Sequence, residues 1–155
     1  MLAWRIAKAP FALDRLGTGA RLTGGRWNSP GVAVIYAALE PATAALEKLV
    51  HTGELLPVDL QLVRIDLPDD QQLYKTASLA DLPKHWDEMP SSVAAGRIGD
   101  EFIRQGEKLG LIVPSAIVPE AQNIILNPNH SAMTEVHFHV IRAFRFDSRL
   151  RRSAT

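Results

Sequence analysis

The sequence predicts a mixed α+β domain. Three observations lead there. Several short apolar stretches alternate with period two and are bounded by turn residues. Two or three longer stretches carry helical spacing. The elements do not alternate strand and helix regularly, as a doubly wound sheet requires. A chain of 155 residues fits a single domain at roughly 150 residues per domain. We read residues 1–150 as that domain and residues 151–155 as a polar tail.

Each element follows in order. Leu2–Ala7 reads as a short strand carrying Arg5. Residues 14–31 read as loop, punctuated by Gly17, Gly19, Gly24, Gly25, Pro30 and Gly31. Val32–Ala38 is rich in β-branched residues and reads as a buried strand holding Tyr36 near its end. Pro41 suits the first position of a helix that runs to about His51, with Gly53 as its C-terminal cap. On that helix Ala42, Ala45, Leu46, Leu49 and Val50 form one apolar stripe, with Glu47 on its flank.

Val58, Leu60 and Leu62 alternate, and Val63, Ile65 and Leu67 then alternate in the opposite phase. This predicts a long strand with a bulge at the phase change. Residues 68–92 are acidic and contain proline, and read as loop with short helices. Ile98–Leu109 reads as a helix ended by Gly110. Leu111–Val113 is a short strand stopped by Pro114 and Ser115, and Asn123–Leu126 is another stopped by Asn127-Pro128. Glu135–Phe146 sets Val136, Phe138 and Val140 against His137, His139 and Ile141, a strand alternation. From Arg149 the tail is polar and basic.

Composition excludes several function classes. Hydrophobic residues make up 46% and charged residues 22%, enough apolar content to bury a core. There is no cysteine, so disulfides, thiol nucleophiles and cysteine metal sites are absent. No apolar run is long enough to span a bilayer, and no signal-like segment opens the chain, so the expected location is the cytoplasm without membrane contact. Net charge is 0, from 17 basic and 17 acidic residues, which argues against bulk binding of nucleic acid.

The charges are not evenly spread. Residues 1–52 hold six Lys/Arg and three Asp/Glu, residues 53–141 hold six and thirteen, and residues 142–155 hold five and one. No acid lies between Asp14 and Glu40, where Arg15, Arg21 and Arg26 sit. A basic, glycine-rich stretch of this kind suits a small anionic ligand.

The densest motif is Gly24-Gly25-Arg26-Trp27-Asn28-Ser29-Pro30-Gly31. Gly25 lets backbone pass close to a ligand, Arg26 brings a planar donor fork suited to phosphate, and Asn28 and Ser29 add polar groups. Composition alone fits an ordinary turn with a surface arginine equally. The stretch is neither a P-loop nor a G-x-G-x-x-G motif. Tyr36 can stack on a flat ring or simply be a half-buried strand tyrosine. Glu47 can serve a site or be a solvated helix glutamate. Ser115 lacks a G-x-S-x-G context, so it is not expected to be a nucleophile. His137 and His139 share a strand face and can bind metal only with further ligands at about 2 Å, Glu135 or His130 being available. No metal is expected. Phe138, Phe144 and Phe146 read as core.

Taken in order, these pieces resemble a known family. They are Trp4-Arg5-Ile6, Gly24-Gly25-Arg26-Trp27-Asn28, Pro30-Gly31, Val34-Ile35-Tyr36-Ala37, and Ala44-Ala45-Leu46-Glu47 before Val50-His51. Val113-Pro114-Ser115-Ala116, Asn123-Ile124-Ile125-Leu126-Asn127-Pro128 and Phe146-Asp147-Ser148-Arg149-Leu150 follow. Together they look like the RES domain, the toxin half of bacterial RES–Xre toxin–antitoxin pairs. Its naming arginine, glutamate and serine match Arg26, Glu47 and Ser115.

The resemblance implies a fold similar to ADP-ribosyltransferases, a split mixed or antiparallel sheet with flanking helices. It implies cleavage of the nicotinamide–ribose bond of NAD⁺ by hydrolysis or phosphorolysis, with NAD⁺ as substrate and no separate cofactor. Depletion of NAD⁺ would arrest growth. It further implies a cognate Xre-type helix-turn-helix antitoxin and a hetero-oligomer with it. In this reading Glu47 stabilises a cationic ribose, or holds ribose hydroxyls and orients the attacking water or phosphate, and Arg5 and Arg26 hold the pyrophosphate or incoming phosphate. Tyr36 stacks on nicotinamide or closes the pocket, Ser115 bonds the ribose or amide, Gly25 and Asn28 contribute to NAD⁺ binding, and Asn28 and His51 support the site. Three rivals remain: ADP-ribosyl transfer to a protein acceptor, a noncatalytic nucleotide-binding module, and nucleic-acid binding through the Arg142–Arg152 tail. The zero net charge counts against the last.

Overall fold

The computed structural model describes residues 1–52, 55–91 and 93–150. The expected cap at Gly53 and the tail 151–155 lie outside them. Seven strands form one mixed sheet: β1 (Leu2–Lys8), β2 (Ile35–Ala38), β3 (Leu60–Asp66), β4 (Tyr74–Thr76), β5 (Gly110–Pro114), β6 (Gln122–Leu126) and β7 (His137–Phe144). Their spatial order is β4-β5-β6-β2-β1-β3-β7. β4 and β5 run parallel, and every other neighbouring pair is antiparallel. Between β2 and β1 the ladder narrows to a single pair, Trp4 opposite Ala38. The sheet is therefore nearly split into a four-strand and a three-strand half.

Among the described residues three α-helices accompany it: α1 (Thr18–Thr23), α2 (Pro41–Val50) and α3 (Val93–Gln105). None is long and apolar enough to cross a membrane. Pro41 occupies the first turn of α2 as expected, since its missing N–H lies among those that a helix start leaves unpaired.

One face of the sheet buries Ala3, Ile35, Ala37, Val63, Ile65, Ile124 and Leu126 in a single cluster with Met133 and Val136. The other face carries two separate clusters. Trp27, Trp86, Ala95 and Phe102 cover Leu111, Val113 and Ile125. Trp4, Ile6, Leu60 and Leu62 pack with Ala45, Phe144 and Phe146. β6 is covered on both faces, so Ile124-Ile125-Leu126 is a continuous apolar run without alternation.

Several expectations are corrected. The phase change in β3 is no bulge of that strand, because its register with β1 is unbroken from Leu2/Asp66 to Lys8/Leu60. Leu60 and Leu62 fill one face's cluster, and Val63 and Ile65 fill the other's. The irregularity lies in the pairing with β7, where Leu62 faces Arg142 and Val63 faces Val140, leaving Ile141 over. β7 is also shorter than expected, since residues 131–135 form a 3-10 turn.

The loop expected over 14–31 contains α1. The carboxylate of Asp14 accepts from the N–H of Leu16 and of Thr18 and orders its start. β2 begins only at Ile35, because Asn28 ties down the carbonyl of Val32. α3 starts and ends earlier than expected. Gly106, at φ +67, takes the left-handed position that closes a helix, and Gly110 instead opens β5. β4 was hidden in the acidic stretch as three residues.

Candidate active site

α2 presents a different face from the one its apolar stripe predicts. Thr43 and Ala44 are its buried residues, while Ala42 and Val50 are exposed. Glu47 follows Thr43 by four residues and so shares the sheet-facing side. Its Oε1 accepts two hydrogen bonds, from Ser115 Oγ at 2.8 Å and from Asn123 Nδ2 at 2.6 Å. The reason for the rotation is polar: sheet-borne donors hold the carboxylate inward.

Ser115 continues the line of Leu111 and Val113 along β5, just beyond the strand. Its N–H extends the ladder to the carbonyl of Ala121. The side chain is fully buried, and its Oγ also accepts from the N–H of Ile117 and of Val118, at 3.1 and 3.3 Å. With both acceptor sites filled by the main chain, the hydroxyl proton is directed at Glu47. Asn123 lies mid-sheet, opposite Val113 of β5 and Ala38 of β2.

The glycine-rich loop is built around Asn28, which is 2% exposed. Its Nδ2 donates to the carbonyls of Ala20 and Val32, at 2.8 and 2.9 Å. Its Oδ1 accepts from Tyr36 Oη at 2.7 Å, while Tyr36 Oη accepts from the N–H of Trp27 at 3.0 Å. Burial pushes the Tyr36 phenol well above its ordinary value, so it stays protonated and keeps donating. Gly25 is required beside it: a Cβ there would lie 2.7 Å from Tyr36 Oη.

α3 clamps the same loop. Asp100 accepts from the N–H of Ser29 at 2.8 Å and from its hydroxyl at 2.6 Å. A Cβ on Gly99 would meet the carbonyl oxygen of Trp27 at 1.7 Å, so the main chain of the loop rests directly on the helix. Trp27 also packs on Trp86, with ring centroids 5.8 Å apart. Arg26 donates to the carbonyls of Trp86 and Glu88, at 2.8 and 3.0 Å, and reaches Met89 Sδ at 3.1 Å. Its side chain thus runs to residues 86–89, from where its charge acts on the Tyr36 phenol.

These two groups share one face. Tyr36 pairs with Ile125, and Ala38 with Asn123, so Tyr36 and Asn123 project the same way as diagonal neighbours, about 7–8 Å apart at their Cα atoms. The structure thus brings Tyr36, Asn28, Gly25 and the Glu47–Ser115 pair to one side of β2, β5 and β6. Arg26 precedes Trp27, whose N–H bonds Tyr36 Oη, while its own side chain is held by residues 86–89.

Arg5 does not join. In β1 it alternates with Trp4 and Ile6 and projects from the opposite face, where it donates to the carbonyls of Phe11, Ala12 and Asp14. Arg5 and Arg15 each lie 5.3 Å from the ring of Phe138. Arg15 donates to the carbonyls of Met133 and Val136. These two arginines brace the 9–15 turn, and the pleat of β1 sets the Arg5 side chain on the face opposite Tyr36 and Glu47. An open groove of about 700 Å³ lined by Phe11, Asp14, Gln61 and Val140 is likewise remote from Glu47. His51 caps α2 and is exposed.

Among the described residues no group of three or more His, Asp or Glu is placed to hold a metal ion. His139 instead meets Asp66 at 3.1 Å. Three contributors escaped sequence reasoning: Asn123 as a partner of Glu47, and Gly99 and Asp100 as the clamp. A polar residue opening an otherwise aliphatic strand was the available signal for Asn123. No local signal marked the other two.

Comparisons with known proteins agree with one another. The family model described as "RES domain" matches residues 2–149. The chain is 37% identical over 156 residues to "Prs ADP-ribosylating toxin" of Sphingobium sp. (strain YBL2), with 97% of each chain covered. It is 39% identical over 131 residues to "Toxin Res" of Photorhabdus laumondii, covering 83% of this chain and 82% of that one. Against "Toxin Res" of Yersinia enterocolitica the identity is 34%, covering 97% of this chain and 100% of the relative. Among solved structures, the fold is similar to a chain of the M. tuberculosis MbcT–MbcA toxin–antitoxin complex. The TM-score is 0.69 at 20% identity, over 89% of this chain and 80% of that one.

Proposed function

This chain belongs to the RES domain family, and from that premise we propose that it is the toxin of a toxin–antitoxin pair and breaks the nicotinamide–ribose bond of NAD⁺. The observation that supports this best is the Glu47 carboxylate, gripped at one oxygen by Ser115 and Asn123 on the same sheet face as Tyr36.

The chemistry suits such a site. The C1′–N bond of NAD⁺ breaks with its electron pair leaving on nicotinamide, and the ribose becomes oxocarbenium-like. The protein needs no nucleophile for this. It must position the dinucleotide and set a negative charge near the developing positive one. Glu47 is the residue for that charge. Water or phosphate oxygen then adds to C1′, giving hydrolysis or phosphorolysis. Arg26 holds the pyrophosphate or incoming phosphate, exchanging neutral carbonyl partners for charged oxygens, which make stronger hydrogen bonds. Tyr36 offers a protonated aromatic ring to nicotinamide. Gly25 and Asn28 shape the loop that binds it. Ser115 acts through Glu47.

The partner in this reading is an Xre-type helix-turn-helix antitoxin in the same cytoplasm, whose NAD⁺ the toxin consumes. A structural neighbour crystallised as a toxin–antitoxin complex agrees with a partnership of that kind.

A second reading is favoured by one specific observation, the name "ADP-ribosylating toxin" of a relative 37% identical to this chain. There the acceptor at C1′ is a protein side chain. One experiment separates the readings: purified protein is incubated with NAD⁺, with and without phosphate, and nicotinamide release is followed. Parallel reactions with NAD⁺ labelled in its ADP-ribose moiety and a cell lysate report transfer to protein. Free ADP-ribose or its 1-phosphate supports cleavage, and label on a protein band supports transfer. No nicotinamide from folded, antitoxin-free protein rejects both.

A further inference from the structure

We propose that Asn123 is a positioning residue for the Glu47 carboxylate, holding it aimed for the reaction; the inference rests on the reading of Glu47 given above.

The placing of Asn123 in the fold is the first argument. It sits in β6 between β5 and β2, with Val113 on one side and Ala38 on the other. Its neighbours in the strand are the fully buried Ile124, Ile125 and Leu126. Asn123 itself is half-buried, at the end of this apolar run, on the sheet face that also carries Tyr36. Its amide reaches across that face to Glu47, 76 residues earlier in the chain.

The geometry of the bond is the second argument. A carboxylate only accepts, so the amide must present its nitrogen. Ser115 and Asn123 both donate to Oε1 of Glu47, at 2.8 and 2.6 Å. Two donors rooted in β5 and β6 fix the plane of a carboxylate that comes from α2. Among the described residues Oε2 has no hydrogen-bond partner, so one oxygen is held and the other is left for the ribose. The two donors are not equivalent. Ser115 Oγ is itself anchored by the N–H of Ile117 and of Val118. Asn123 is anchored by its strand and, through a second amide hydrogen, retains a donor beside the same carboxylate.

Two variants test this by nicotinamide release. In Asn123→Ala, kcat falls about 10-fold or more while KM for NAD⁺ stays within about threefold, because the lost interaction serves the transition state. In Asn123→Asp, the new carboxyl faces Glu47 directly. Two carboxylates in contact hold one proton between them. While protonated, the new group donates to Glu47 as the amide does. Once ionised it repels it. The rate of this variant should therefore decline as pH is raised from about 5 to about 8, a limb absent from wild type and from Asn123→Ala. A merely structural role would not produce such a limb. Wild-type kcat in Asn123→Ala, or coincident pH profiles for Asn123→Asp and wild type, overturns the proposal. If wild type itself releases no nicotinamide, the reading of the site falls and this one with it.

Discussion

The hydroxyl of Ser115 donates to the carboxylate of Glu47 at 2.8 Å, joining a strand end to a helix 68 residues earlier. The same oxygen accepts from the N–H of Ile117 and Val118, so the serine relays main-chain polarity to the glutamate. Strand end and helix are thereby locked together through one hydroxyl, with its proton directed at the carboxylate on α2.

Glu47→Gln keeps the size of the side chain and an oxygen for both donors, but removes the charge. We expect kcat for nicotinamide release to fall about 100-fold or more, as when an electrostatic stabiliser is removed from an active site. Thermal unfolding should stay close to wild type. Full activity would remove Glu47 from its role.

Ser115→Ala is expected to lower kcat by about 10-fold while leaving measurable turnover, since Asn123 still holds Glu47. It should also cost about 1–2 kcal/mol of stability, because two main-chain N–H groups lose their acceptor. Denaturant unfolding reads the second effect. Loss of activity deeper than in Glu47→Gln would point to a covalent role instead.

Tyr36 makes stability depend on alkaline pH. Its phenol is raised in the folded state by burial, so its contribution is intact below the ordinary tyrosine value of about 10 and is lost as pH rises beyond it. Tyr36→Phe removes that dependence, and its melting temperature should fall less steeply above about pH 10. At neutral pH the variant should be less stable by about 1–3 kcal/mol, because Asn28 Oδ1 and the Trp27 N–H lose their partner. Tyr74, raised to about 12, titrates in both proteins and cancels from the comparison.

The two glycines of α3 make an internal control. Gly99→Ala would place a methyl 1.7 Å from the Trp27 carbonyl oxygen and should destabilise by about 3 kcal/mol. At Gly96 the nearest such atom is 3.8 Å away, so Gly96→Ala should be neutral or stabilising by up to about 1 kcal/mol from helix propensity. Chemical denaturation of both variants checks the contrast.

Asp100→Ala releases Ser29 and with it the loop that carries Arg26. KM for NAD⁺ should rise about threefold or more with kcat little changed, because ground-state binding is what the loop supplies. Steady-state kinetics read it. An unchanged KM would separate the clamp from the substrate site.

Much of the fold was legible because its signals are local. The start of α2 followed from Pro41, the ends of β5 and β6 from Pro114 and Asn127-Pro128, and the strand character of β3 from its alternation. The buried face of α2 was not legible. Its apolar stripe named Ala42 and Val50, whereas polar contacts from the sheet hold Glu47, on the same side of the helix as the buried Thr43. β4 was too short for its period to register, and α1 was masked by the glycines around it. Of the residues proposed for the site, Arg26, Tyr36, Glu47 and Ser115 stand out in the sequence through an ordered set of short motifs. That Arg5 stands on the other face was not legible, since a strand's pleat has a direction only once its neighbours are known.

By itself the sequence determined the elements, their order and the residue types available for chemistry, because helical period, strand alternation and turn residues act over a few positions. Tertiary structure alone decided which of those residues meet. Asn123 reaches Glu47, and Asp100 reaches Ser29, because sheet order and the sharing of apolar burial between two faces bring distant segments together. Those choices are made by packing across the whole chain, and no short stretch of it carries them.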